Sequence, residues 1–303
     1  MKKTIAVYAV AAVLIMTGCG GSGSTDKNGS AGDVTVSKET KALAKSILFH
    51  GRLGDQLSSG SKALPMRTTR ALIPFGGEQV NRCENGGTYT MTFSDLPLPD
   101  PNDPDFNPED FDTQNFSTGM RMTYDNCLEG GVVTDGAMEM NTTVSGEDHF
   151  TTQMRYLTDF TMDDGVETFK ILKGSYMIDE MFGTSRFTTT ETMTVLFGKE
   201  RYESKALKTV MILDDAAETF AYYPVSGEER FGGNSYRVDE SYDASKTPMV
   251  INSNGDMQKG GKFRYIDGQN RLITVEVTQK NRLTVSIDTD GDGKADEKET
   301  MAF

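Results

Sequence analysis

Apolar and polar residues alternate through most of this chain with a period of two. Tyr89, Met91 and Phe93 are interleaved with Thr88, Thr90 and Thr92, and Met120, Met122 and Tyr124 with Arg121 and Thr123. Met138, Met140 and Val144 form one such set, and Phe150, Met154, Tyr156 and Phe160 another. Phe187, Met193, Val195 and Phe197 follow the same rule, as do Ile273, Val275 and Val277, then Leu283, Val285 and Ile287. In a strand, successive side chains point to opposite faces, so each set marks one apolar face. Turn signals separate the runs: Asn85-Gly86, Glu129-Gly130-Gly131, Asp135-Gly136, Asp164-Gly165, Ser226-Gly227, Asn254-Gly255 and Asp267-Gly268. The pattern predicts a mainly β fold, an antiparallel β-meander with one wet face. A barrel, a half-barrel and a sandwich all satisfy it.

The texture changes toward the N-terminus. Ser37 is a capping residue, and Leu43, Ile47 and Leu48 make a modest helical stripe that Gly51 and Gly54 interrupt. One short helix is predicted within 37–64, ahead of a β-rich domain over 65–303. Within that domain, residues 95–112 hold five of the nine prolines, seven acidic residues and no Lys or Arg. This reads as a solvated, semi-extended loop. Its sharper reading is a cation or partner site with Phe106 and Phe111 as contacts.

The first residues have the outline of a secretory signal over 1–18: Lys2 and Lys3, an apolar run from Ile5 to Met16, then small residues. The apolar run is too short to span a bilayer, which needs about 20 residues. Met16-Thr17-Gly18-Cys19 resembles the lipobox of bacterial lipoproteins, with Met16 where the family prefers Leu. That resemblance implies cleavage before Cys19 and diacylglycerol and acyl (palmitate-type) modification of Cys19. A Gly/Ser-rich tether then follows over 19–36, as an anchored domain requires. It also implies a cell-envelope location, held to the membrane through the anchor. For a Gram-negative source, Gly20 after the cysteine points to the outer membrane.

Composition narrows the function classes. The 303 residues carry a formal charge of −14. An acidic surface argues against nucleic acid, whose phosphates need Lys and Arg. There is no Trp, and His50 and His149 are the only histidines. Neither lies in a recognisable catalytic motif, so a His-based triad or metal enzyme is not expected. The 17 methionines read first as core filling.

Cys83 and Cys127 are the only cysteines besides Cys19. In an oxidising compartment they are expected to pair, closing two antiparallel strands at their open end. A simple register with Cys83 opposite Cys127 sets Tyr89 opposite Arg121, on the wrong face. One extra residue must therefore be absorbed, and Gly86-Gly87 is the natural bulge.

The sharpest motif runs from Asp288 to Glu299. Asp288, Asp290, Asp292, Gly293 and Glu299 fit the D-x-D-x-D-G-x5-E calcium pattern. Hard Ca²⁺ takes six to eight oxygens. Carboxylates at alternate positions converge only where the chain wraps tightly, and Gly293 permits that turn. The Lys294 carbonyl, Asp296 and Glu299 are the remaining candidate ligands. A strand enters this loop and only four residues follow it, so it resembles the loops of integrin propellers and thrombospondin type 3 repeats more than an EF-hand. In that setting Asp288, Asp290, Asp292 and Asp296 carry the site.

Three landmarks, Cys83-Glu84-Asn85-Gly86-Gly87, Tyr124-Asp125-Asn126-Cys127-Leu128-Glu129-Gly130-Gly131 and Asp135-Gly136, resemble a class of uncharacterised β-rich lipoproteins of proteobacteria. The resemblance implies envelope location and β architecture, and no activity. The sequence therefore predicts a non-enzymatic, membrane-anchored β domain with a structural or binding role, stabilised by Ca²⁺. Two rivals remain. One is a lipid or lipoprotein carrier with an open β half-barrel. The other, disfavoured, is a carboxylate-based hydrolase.

Overall fold

The computed structural model describes residues 78–94, 115–129, 132–146, 149–163, 165, 168–181, 186–197, 199–214, 217, 219–231, 233–252 and 256–302. The signal, Cys19, the tether, the predicted helix within 37–64 and the acidic stretch 95–112 lie outside these residues.

The predicted alternation is realised as sixteen strands. They are β1 (Glu78–Arg82), β2 (Thr88–Ser94), β3 (Asn115–Glu129), β4 (Val132–Ser145), β5 (His149–Tyr156), β6 (Phe160–Asp163), β7 (Thr168–Met181) and β8 (Arg186–Phe197). The second half holds β9 (Glu200–Asp214), β10 (Thr219–Phe231), β11 (Asn234–Val238), β12 (Met249–Asn252), β13 (Lys262–Asp267), β14 (Leu272–Gln279), β15 (Arg282–Asp288) and β16 (Glu297–Ala302). A single 3-10 turn, Ala244–Lys246, is the one helical element among the described residues.

All sixteen strands belong to one antiparallel sheet. Its path runs in chain order from β1 to β16, with β6 bridging β4 and β7 and β12 added beside β10. Among the described residues β1 and β16 are the two ends of this path and do not pair with each other.

Matching faces meet across the ladder. Met120 pairs with Met140, Met140 with Met154, Met154 with Tyr176, Tyr176 with Glu191, and Glu191 with Leu207. This row crosses six strands, and every member is buried. The methionines read as core filling are core: Met122 and Met138 are each 1% exposed. The Ile273, Val275, Val277 and Leu283, Val285, Ile287 sets are buried at 1% or less.

The sheet curls so that side chains two strands apart meet: Tyr265 Oη on β13 reaches Glu229 Oε1 on β10 at 3.2 Å, and the Tyr222 and Phe263 rings lie 5.6 Å apart across the same interval, which a flat sheet would hold at about 10 Å.

Two predicted turns are corrected. Asp135-Gly136 lies inside β4 and Ser226-Gly227 inside β10. A glycine at positive φ suits a bulge as well as a turn. Gly136 (φ 116°) lets the chain before β6 approach: a Cβ there would sit 2.7 Å from the Asp159 carbonyl oxygen. Gly227 (φ 109°) sits at the register shift between β9 and β10.

Candidate functional sites

The disulfide forms where the pattern placed it. Cys83 and Cys127 are bonded with their Cα atoms 5.4 Å apart, and Cys127 is fully buried. The register is not the expected one. Tyr89 pairs with Tyr124, Met91 with Met122 and Phe93 with Met120, so like faces meet directly. The slack is taken up by the turn at 83–87 and by a bulge at Asp125-Asn126, where Asn126 adopts φ 46°. The turn folds back onto β3 through Leu128 N–H to Gly86 O (2.8 Å) and Asn85 N–H to Leu128 O (3.0 Å). That fold-back brings Cys83 to Cys127.

The acidic C-terminal loop is the connection between β15 and β16. Its backbone is organised by its own carboxylates. Asp288 Oδ1 accepts from Gly291 N–H (2.7 Å) and Oδ2 from Gly293 N–H (2.9 Å). Asp290 Oδ1 accepts from Asp292 N–H (3.1 Å), and Asp292 Oδ1 from Lys294 N–H (2.8 Å). Asp296 Oδ2 accepts from both the backbone N–H and the hydroxyl of Thr289, which holds its pKa below the usual carboxylate range.

Of the predicted ligands, Asp288, Asp290 and Asp296 each offer an oxygen within 4.8 Å of the other two. Asp292 is outside that group and faces Lys294 Nζ at 3.7 Å. Glu299 sits within β16 opposite Val285, on the apolar side of the sheet. Asp288 follows Ile287 and so belongs to the other face of β15. The donors that converge are hard oxygens with lone pairs to spare, since each carboxylate oxygen accepts more than one bond. Asp288, Asp290 and Asp296 are thus the residues of this loop that could hold a hard cation such as Ca²⁺.

A second constellation lies on the concave face. Glu191 and Glu229 are 2% and 0% exposed. Tyr202 Oη donates to Glu191 Oε1 at 2.6 Å, and Tyr265 Oη to Glu229 Oε1 at 3.2 Å. Burial, then the Glu191 and Glu229 charges, push the Tyr202 phenol far above its usual range. Tyr222 is raised by burial and Glu229, and Tyr156 by burial and Glu191. These phenols are donors at any ordinary pH. Tyr176, the ladder partner of Glu191, is 3% exposed, and its hydroxyl has no hydrogen-bond partner in range. Burial pushes the Tyr176 phenol well above its usual range, opposed by the neighbouring Thr189 hydroxyl.

Bulges frame this cluster. The register shifts between Ile171 and Lys173, between Glu191 and Met193, and between Pro224 and Glu228. Ala206, on the strand between, adopts φ 47°, an uncommon conformation for a residue with a side chain. Side chains replace the displaced ladder bonds: Met193 N–H donates to Ser204 Oγ and Ala206 N–H to Thr192 Oγ1, both at 3.0 Å.

The sequence reading missed these glutamates. Glu191 has the same parity as Phe187 and Met193, which marks it as inward. Glu229 has the parity of Phe231, but reading Ser226-Gly227 as a turn broke the count.

Comparison with protein families, with curated proteins and with solved structures found no match to this chain.

Proposed function

We propose that this chain is a lipid-anchored envelope protein whose β domain has a structural or binding role and is clipped by Ca²⁺. The observation that carries the reading is the convergence of Asp288, Asp290 and Asp296 in a loop already wrapped by its own backbone bonds. An ion there would tie the β15–β16 hairpin at the sheet's end. Isolated extracellular sites of this kind bind at about 10⁻⁴ to 10⁻³ M, which suits a structural clip rather than a sensor. The Cys83–Cys127 bond supports an oxidising location. The lipobox ending at Cys19 supports the anchor.

A non-enzymatic role is favoured over the hydrolase. Glu191 and Glu229, which both act on the Tyr202 and Tyr265 phenols, are buried among tyrosines rather than presented to water. The carrier reading keeps one specific support, the curled sheet with a methionine- and tyrosine-lined inner face, which is what an open half-barrel for an apolar ligand would need.

The anchor is tested by growing an expressing bacterium with labelled palmitate. Label on the wild-type chain that is absent from Cys19→Ala supports the reading. An unlabelled wild-type chain, cleaved or not, removes it.

A further inference from the structure

The corner that holds the Cys83–Cys127 disulfide also holds a carboxylate. Glu129, two residues beyond Cys127 on β3, places a side-chain oxygen within 4.8 Å of both sulfurs. Residues two apart on a strand share a face, so Glu129 and Cys127 point the same way. The cysteines are buried and Glu129 is half-buried, which makes the carboxylate the solvent-facing member of the group.

The two cysteines are held together by more than their own bond. β2 and β3 pair without a break from Thr88↔Asp125 to Ser94↔Gly119. The 83–87 turn is closed by Cys83 N–H to Gly87 O (3.2 Å), and it docks on β3 through the two backbone bonds to Leu128. Gly87 (φ 76°) packs so closely on the bulge that a Cβ there would lie 2.0 Å from the Asn126 carbonyl oxygen. Cys83 therefore stays beside Cys127 when the sulfur–sulfur bond is opened. Opening is thiol–disulfide exchange: a dithiol reductant leaves as its own disulfide, and this chain gains two thiols.

Two sulfurs and one carboxylate oxygen then converge on one point. Zn²⁺ accepts both ligand types, at about 2.3 Å from sulfur and about 2.0–2.2 Å from oxygen. Tetrahedral coordination sets the sulfurs about 3.8 Å apart, a separation that side-chain rotation supplies, and leaves a fourth position to water. Asn81 lies at the end of β1 that leads into the turn, opposite Tyr89. Its amide nitrogen is buried without a hydrogen-bond partner, a spare donor of the kind that orients a coordinated carboxylate or water.

We propose that the dithiol form of this chain is a Zn²⁺ site, with the Cys83 and Cys127 thiolates and the Glu129 carboxylate as its ligands. Binding takes up one Zn²⁺ and releases the two thiol protons. The reverse exchange, with a disulfide as the oxidant, removes both sulfur ligands and expels the ion. The corner is a metal site when reduced and a covalent tie when oxidised.

The test uses the full chain carrying Cys19→Ala, so that Cys83 and Cys127 are the only thiols. The disulfide and dithiol forms are titrated with Cd²⁺, whose thiolate charge-transfer absorbance reports sulfur ligation. Zn²⁺ affinity is read by competition with a chromophoric chelator, and circular dichroism of the metal-free dithiol form follows the sheet. The expected result is one ion per chain with the charge-transfer band in the dithiol form, and no band in the disulfide form. Glu129→Gln should weaken Zn²⁺ binding about tenfold or more, since a lost ligand costs at least as much as a lost outer partner. Asp290→Ala/Asp296→Ala should leave the band unchanged, which separates this site from the C-terminal loop. A dithiol form without the band overturns the proposal, as does one ion shared between two chains. So does a Glu129→Gln affinity equal to that of the parent, or loss of the strand signal on reduction.

Discussion

Tyr202 donates a hydrogen bond from its phenol to Glu191 across 2.6 Å, with Tyr202 fully buried and Glu191 only 2% exposed. A charge-assisted bond of this kind contributes about 1.5–3 kcal/mol. Tyr202→Phe keeps the ring contact with Phe231, whose centroid is 4.9 Å away, and removes only the donor. Urea denaturation should show a loss of about 2 kcal/mol. A loss below about 0.5 kcal/mol would mean the bond is not a strong one in solution.

Thr134 offers the opposite case. It is fully buried, pairs with Cys127 and Met162, and its hydroxyl has no partner. Thr134→Val replaces that hydroxyl with a methyl of similar size. The unfolding free energy should rise by about 1 kcal/mol, because an unsatisfied buried group is removed. A decrease would place a water on the hydroxyl.

The disulfide spans 44 residues. Chain-entropy arguments give such a loop about 4 kcal/mol of stabilisation. Cys83→Ala/Cys127→Ala should lower the urea midpoint accordingly, and reduction of the wild type should reproduce the shift.

Gly227 is held at φ 109°, and a Cβ there would lie 2.5 Å from the Ala206 carbonyl oxygen. Both partners are backbone, so neither can swing away. Gly227→Ala should cost about 2–4 kcal/mol, measured by thermal or urea unfolding.

Asp256 accepts from Lys280 Nζ at 2.7 Å and from Asn281 Nδ2 at 2.6 Å, and these bonds hold its pKa below the usual carboxylate range. Its unfolded value is about 3.9. A folded pKa below the unfolded one favours the native state above that pH, and the benefit fades as pH falls through the folded value. Asp256→Asn should therefore flatten the acid limb of the stability curve below about pH 4 and leave its slope near neutrality unchanged.

Much of this fold is legible in the sequence because burial on one face forces a period of two. The Met120–Met122–Tyr124 and Met138–Met140–Val144 faces are read directly from it, as is the pairing of Cys83 with Cys127. Register was harder. The Asp125-Asn126 bulge carries no mark in the pattern beyond a residue that tolerates positive φ. Glycine misled at Gly136 and Gly227, since the same dihedral freedom serves a turn and a bulge. The acidic loop was visible by spacing, but spacing alone could not show that Asp292 and Glu299 stand apart from the three aspartates that converge. Glu191 and Glu229 were hidden because a charged residue inside a strand is read as outward unless its parity is counted.

The most direct measurement is calorimetric titration of Ca²⁺ into the full chain, repeated with Asp290→Ala/Asp296→Ala. The account predicts one weak site, about 10⁻⁴ to 10⁻³ M, that vanishes in the double variant and raises the wild-type melting temperature. Binding that persists unchanged in the variant, or no heat and no thermal shift in the wild type, would contradict the Ca²⁺ clip.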